Sequence, residues 1–286
     1  MVSAGQMSIR SSCQCLSISR SHYDWQPAPD RNQEVAAELL RLAEKHPRRG
    51  FRKLFDKTRL EGYRWNHKRV HRVHCRLGLN LRRPLKKRLP KRERQPIEAP
   101  QAPNECWALD FTSDNLSTGQ SFRSLNVIDE FNREALEVEV DTSLPAERVV
   151  RTLDHAVAWK GLPKAVRMDD GPEFISEKMS LWAEKNQVEL KFIQPGKPTQ
   201  NPFAERFNGT FRLEFLSPNL FDDIDQVCEA AFEWKLEYNE QRPHQALNGL
   251  TPELVLQNHR KQQSLLISGT LTQGGRTPGL PLWSYP

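Results

Sequence analysis

Nowhere does the 286-residue chain approach the run of about eighteen apolar residues that a membrane-spanning helix needs. Its amino terminus, MVSAGQMSIRSSCQC, has no apolar stretch of signal-peptide type. Both absences point to a chain that acts in the cytoplasm, on the nucleoid if the source is bacterial, and not on a membrane. Cysteine is scarce: Cys13, Cys15, Cys75, Cys106 and Cys228 make an odd number with no CxxC pair. A disulfide framework is therefore excluded, and free thiols in a reducing compartment are expected. A zinc centre is not supported either. Cys13 and Cys15 have no neighbours at ligand spacing, and His67, His71, His74 and Cys75 lack a second paired half, so they read as helix surface. Apolar residues are only 37% of the chain and charged residues 27%, enough for a core under a very polar surface.

What is abundant is charge, unevenly placed. Residues 1–100 carry 24 Lys and Arg against 9 Asp and Glu, whereas the other 186 carry 18 against 27. A basic front joined to an acidic back suggests a polyanion-binding module attached to a catalytic one.

Residues 1–30 show no periodicity and read as a tether. From 31 to 83 three helices are expected. The first is capped by Asp30 with Gln33 three residues on, and carries Val35, Leu39 and Ala43 at helical spacing. The second covers Phe51–Leu60, and the third runs from the cap Asn66 to Leu77, with Gly78 after it. On the third, Val70, Val73 and Leu77 face inward while Lys68, Arg69, Arg72 and Arg76 form a basic face. Three short helices ending in a basic one look like a helix-turn-helix unit for double-stranded DNA. The cationic run RRPLKKRLPKRER follows at once, and prolines 84, 90, 96, 100 and 103 mark residues 84–103 as a linker.

Residues 104–257 read as an α/β unit: three short strands, then helix, strand, helix, strand and two further helices, which fits a mixed sheet flanked by helices. Residues 258–286, rich in Gly, Thr, Pro and Gln, are expected to be a disordered tail. Within the core, three carboxylates stand on three elements. Asp110 lies inside the apolar strand WALDFTSD, Asp169 ends the strand before DDGPEF, and Glu205 lies on the helix NPFAERFNGTFRLEF. Asn201 and Pro202 supply that helix with N-cap and first residue. Phe203, Phe207 and Phe211 share its core face, leaving Glu205, Asn208 and Arg212 on the other. Half-buried carboxylates need positive compensation, and a divalent cation held by Asp110, Asp169 and Glu205 would provide it.

These three motifs resemble the catalytic motifs of insertion-sequence transposases of the OrfB type, whose core is like that of retroviral integrases. The thirty-five residues between Asp169 and Glu205 match that family's spacing. GFRKLFDKTRLEGYRWNHKRVHRVHCRLGLNLRR and YNEQRPHQALNGLTPELVL resemble the segments before and after its core. The resemblance implies a ribonuclease-H-like fold, with Asp110, Asp169 and Glu205 as the catalytic and metal-binding residues. It also implies Mg²⁺ or Mn²⁺ as cofactor, as two ions, and transfer of DNA 3′ ends into a target. The protein would work as a homo-oligomer, with an upstream reading-frame product as a possible fusion partner. Arg212, Asn208, Lys197 and Gln200 are candidates for holding substrate DNA. Two alternatives stand beside this reading: a ribonuclease-H-like nuclease without strand transfer, and a catalytically inactive DNA-binding regulator. In DDGPEF, Asp170 stands where the family has asparagine.

Overall fold

The computed structural model describes residues 8–26, 31–81, 100–193 and 200–267. The segment expected to be a bare tether contains two short helices, α1 (Ile9–Cys15) and α2 (Arg20–Tyr23). Ser8 caps the first and Ser19 the second, each hydroxyl accepting a backbone N–H from three residues on. With one or two turns apiece they are too short to show an apolar period.

Helices α3 (Gln33–Lys45), α4 (Phe51–Leu60) and α5 (His67–Arg76) form the basic unit around Val35, Leu39, Leu42, Leu54, Val70 and Val73. Asn66 caps α5, its Oδ1 accepting from the N–H groups of Lys68 and Arg69. Gly62 and Gly78 follow α4 and α5 with φ of +94° and +68°, a conformation that favours glycine. The α3 cap differs from expectation: it is Asn32, whose side chain makes no capping bond, and Asp30 lies outside the described residues. His74 is a second correction. It is buried, not on the surface, with its ring edge-on to Phe51 at 5.2 Å. The basic run and Pro84, Pro90 and Pro96 lie outside the described residues.

The core is built from β1 (Cys106–Asn115), β2 (Ser121–Asp129), β3 (Ala135–Asp141), α6 (Ala146–Lys160), β4 (Ala165–Met168), α7 (Glu177–Asn186), β5 (Glu189–Phe192), α8 (Pro202–Phe211), α9 (Ile224–Glu240) and α10 (Pro252–Ile267). The strands are ordered β3-β2-β1-β4-β5, antiparallel among the first three and parallel from β1 outward to β5. This is the mixed, ribonuclease-H-like sheet expected from the sequence. Alternation along β1 divides the core in two. Trp107 and Leu109 pack with Leu153 of α6 and Met179 of α7, while Ala108 packs with Phe207 and Phe211 of α8 and Val227 of α9. By the same alternation Asp110 lies on the α8 side.

The first part of the tail expected from residue 258 is helical, because α10 continues to Ile267, and residues 268–286 lie outside the described residues. Leu256 is its buried contact and His259, one turn on, meets the edge of Phe131. Residues 257–264 between its two apolar ends are all polar, so no helical period is visible in the sequence. The helical unit also touches the core. Arg49 and Lys53 reach Glu214, in the π-helical turn (Arg212–Leu216) that continues α8, and Arg49 also pairs with Glu237 of α9. No helix among the described residues is long and apolar enough to cross a membrane.

Candidate active site

Asp110 sits mid-strand on β1, opposite Asn126 of β2 in the antiparallel register. Its Oδ1 accepts from the Phe111 N–H at 2.8 Å and its Oδ2 from Asn208 Nδ2 at 2.8 Å. Burial pushes its pKa up to about 6. The two hydrogen bonds oppose that rise, while the negative charges of Asp169 and Glu205 reinforce it. Asp110 on β1 thus feels the charges of Asp169 at the end of β4 and Glu205 on α8.

Asp169 is the first residue beyond β4 and is half-buried, whereas Asp170 is exposed. Asp169 Oδ1 accepts from the Gly171 N–H at 3.2 Å, folding the turn back on itself. A Cβ at position 171 would lie 3.1 Å from that oxygen, a tight approach that the Asp169 carboxylate would have to yield to by a few tenths of an ångström. The turn is then held against β1. Phe174 stacks on Phe111 at 4.9 Å, Arg123 lies over Phe111 at 4.1 Å, and Arg123 pairs with Glu173 at 2.5 Å.

Glu205 occupies the first turn of α8 and is exposed; the partial burial it does have raises its pKa. One turn on, Asn208 is oriented from behind. Buried Asn126 donates through Nδ2 to Asn208 Oδ1 at 2.7 Å and to Thr112 Oγ1 at 3.2 Å. With its oxygen so occupied, the Asn208 amide can only present its NH₂ to Asp110. Asn126 and Thr112 escape sequence reading because a polar residue on a strand looks the same whether it faces solvent or a neighbouring amide.

Other anticipated residues fall as follows. Arg212 is exposed at the start of the π-helical turn, two turns beyond Glu205. Gln200 precedes α8, and its carbonyl accepts from Arg167 at 3.0 Å. Lys197 lies outside the described residues. On α5, Lys68, Arg72 and Arg76 are exposed. Arg69 is not part of that open face: its Nε donates to Asn32 Oδ1 at 3.0 Å and its guanidinium also reaches the Arg31 carbonyl, binding α5 to the start of α3.

Asp110, Asp169 and Glu205 present only carboxylate oxygens, the hard donors that Mg²⁺ and Mn²⁺ prefer. The elevated pKa of Asp110 between two like charges is what a bound cation would relieve. The donor set thus fits a divalent metal. Among the described residues, no three histidine, cysteine or carboxylate side chains converge into a ready-made cage.

Comparison with known proteins shows which family this core belongs to. Two family models, both described as integrase core domain, match residues 100–198 and 186–252. The 31.7 kDa protein of insertion element IS407 from Burkholderia multivorans is 43% identical over 256 residues, covering 89% of this chain and 92% of that protein. The 39.2 kDa protein of insertion element IS476 from Xanthomonas euvesicatoria is 36% identical, covering 90% of this chain and 75% of that protein. Among solved structures, the magnesium complex of the HTLV-2 integrase catalytic core, in its trimeric form, matches with a TM-score of 0.43 and 18% identity, over 54% of this chain and 97% of that one.

Proposed function

For a chain that belongs to the insertion-sequence transposases with an integrase core, and is therefore a DNA transposase, we propose that it nicks transposon ends and joins their 3′ ends to target DNA through Asp110, Asp169 and Glu205. The observation that carries this reading is geometric: Asn208, one turn beyond Glu205 on α8, donates to Asp110 Oδ2 on β1 and is itself held by Asn126. In this reading Asp110, Asp169 and Glu205 bind Mg²⁺ or Mn²⁺, as two ions. When bound, such ions lower the pKa of an attacking water and stabilise the attacking and leaving oxygens of an in-line phosphoryl displacement.

The chain's own residues do the positioning. Asn208 holds Asp110 Oδ2, so that this carboxylate enters the reaction in one orientation. Arg212 and Gln200 flank α8 and, together with Lys197 from the sequence just before it, hold a DNA end. Lys68, Arg72 and Arg76 of α5 bind duplex phosphates. The acting species is a homo-oligomer, with the product of an upstream reading frame as a possible fusion partner.

The test is purified protein incubated with labelled duplexes carrying the element's ends, a target plasmid and Mn²⁺. The expected result is strand-specific nicking followed by covalently joined products, both abolished by Asp110→Asn. Nicking without joining would favour a plain nuclease, and binding without any cleavage would favour a regulator; either outcome rejects the proposal.

A further inference from the structure

The three carboxylates sit on elements that the sheet alone does not hold in register. Strands β1 and β4 pair only from Cys106↔Ala165 to Ala108↔Arg167, ending before Asp110 and Asp169 are reached. Helix α8 is in no sheet. Its phenylalanine face is a smooth apolar contact, which sets its distance from the core far better than its position along its own axis. A slip of a single residue would carry Glu205 about 1.5 Å along that axis. Directional bonds fix it lengthwise: Asn208 ties its middle to Asp110 and Asn126, and its start needs ties of its own.

Two side chains outside the carboxylate set make such contacts at the start of α8. Asn201 is buried at the N-cap position, yet its side chain makes no capping bond. Its Nδ2 instead donates to the Leu109 carbonyl at 3.0 Å, one residue before Asp110. Its Oδ1 is buried and has no hydrogen-bond partner among the described residues. An asparagine that forgoes capping and strands a buried acceptor costs stability, so the bond to β1 is the feature retained. Arg167 lies on β4, two residues before Asp169. It forms a 2.9 Å ion pair with Glu130, whose side chain is buried, and donates through Nη1 to the Gln200 carbonyl at 3.0 Å. Asn201 thus ties α8 to the strand of Asp110, and Arg167 ties it to the strand of Asp169.

We propose that Asn201 and Arg167 are positioning residues that set the lengthwise register of α8 against β1 and β4, and so fix the spacing of the three carboxylates around a divalent metal. The inference rests on the metal-dependent reading above. Misplacement by an ångström leaves the ligands present but apart, which lowers metal affinity without touching the DNA-binding surface. Groups that support metal ligands from behind commonly change affinity ten- to a hundredfold when removed.

The test uses the full chain with Mn²⁺ as probe. Asn201→Ala removes one tie. Arg167→Lys keeps the charge facing Glu130 but loses the forked reach to Gln200. The double variant Arg167→Met/Glu130→Leu removes that tie without leaving a buried unpaired charge. Three quantities are read: direct Mn²⁺ binding by calorimetry, the Mn²⁺ midpoint of cleavage at saturating DNA, and DNA affinity without metal. Each variant is expected to shift Mn²⁺ binding and the cleavage midpoint at least tenfold, with cleavage recovered at high Mn²⁺ and DNA affinity unchanged. Variants that melt earlier or fail to fold, while any folded one keeps the wild-type midpoint, would place these residues in the core alone and overturn the proposal. Wild-type protein that neither binds Mn²⁺ nor cuts DNA would instead overturn the functional reading and this one with it.

Discussion

At residue scale the site turns on the difference between two neighbouring aspartates. Successive side chains leaving an extended strand point to opposite sides, so Asp169 and Asp170 cannot serve one metal equally. Asp169 is half-buried, accepts the Gly171 N–H and raises the pKa of Asp110, whereas Asp170 is exposed. Asp169→Asn is expected to abolish metal-dependent cleavage and joining, while Asp170→Asn stays within a few-fold of wild type. Both should fold, since each swap keeps the volume. Cleavage assays on the two variants decide it, and an active Asp169→Asn with a dead Asp170→Asn would shift the ligand by one residue. The candidate triad is legible from sequence because Asp110 interrupts an apolar strand and the three ordered motifs, with thirty-five residues between Asp169 and Glu205, resemble those of a known family. The amides behind it are not. Asn126 differs from a surface asparagine only by what lies across the strand, and that is a tertiary fact.

At the scale of elements, strong periods reveal helices and strands, and their absence hides the rest. Helices α4, α6 and α7 are readable from buried residues three and four apart, and β4 from its short apolar run. Helix α10 is not, since its middle, residues 257–264, is wholly polar and no apolar period runs through it. Helix α5 is legible in extent but not in use: four basic residues look equivalent on a helical wheel, yet Arg69 is tied to Asn32 and the Arg31 carbonyl. Its role divides accordingly. Neutralising Lys68, Arg72 and Arg76 one at a time should weaken duplex binding and flatten the log–log salt dependence by about 0.9 for each phosphate that the protein no longer neutralises. Arg69→Gln should leave that slope nearly unchanged and instead lower the melting temperature of the helical unit. Binding titrations across a series of salt concentrations, paired with thermal melts, separate the two effects. An Arg69→Gln slope that falls as far as those of its neighbours would return it to the phosphate-binding set.

For the whole molecule, the notable feature is the polar joint between the helical unit and the core. Glu214 has its side chain only 4% exposed and is surrounded by Arg49, Lys53 and Arg242, the last through two bonds of 2.9 Å. Burial opposes its ionisation, but hydrogen bonding and the three cations outweigh that and hold its pKa well below the ordinary value. The joint follows directly on α8, so the helix carrying Glu205 is also the one on which the basic unit rests. Two histidines border it. Burial lowers the pKa of His46 to about 3 and of His244 to about 2, helped by the charge of Arg49 on the first and Arg242 on the second. In both cases the folded value lies below the unfolded one, so the unfolded chain binds more protons as pH falls below about 6.5. The stability due to neutral histidine is therefore complete above that pH and is lost progressively below it. Glu214 acts in the same direction only once pH drops below about 4.5. Buried carboxylates elsewhere act oppositely: Asp129, like Asp110, is raised to about 6 chiefly by burial and gains stability on acidification. Melting of the wild type alone would thus mix the two signs, and a difference between proteins isolates the joint. His46→Gln/His244→Gln keeps polar side chains of similar size but cannot titrate. Relative to wild type, this variant is expected to melt earlier or equally at pH 8 and to gain steadily on it down to pH 5. The relative gain should be on the order of 1 kcal/mol per histidine, after discounting for water near half-buried His244. Calorimetric melts of both proteins in metal-free buffer at pH 8, 6.5 and 5 measure it. A difference that stays constant over those three values would mean that both histidines titrate in the folded joint as they do in water.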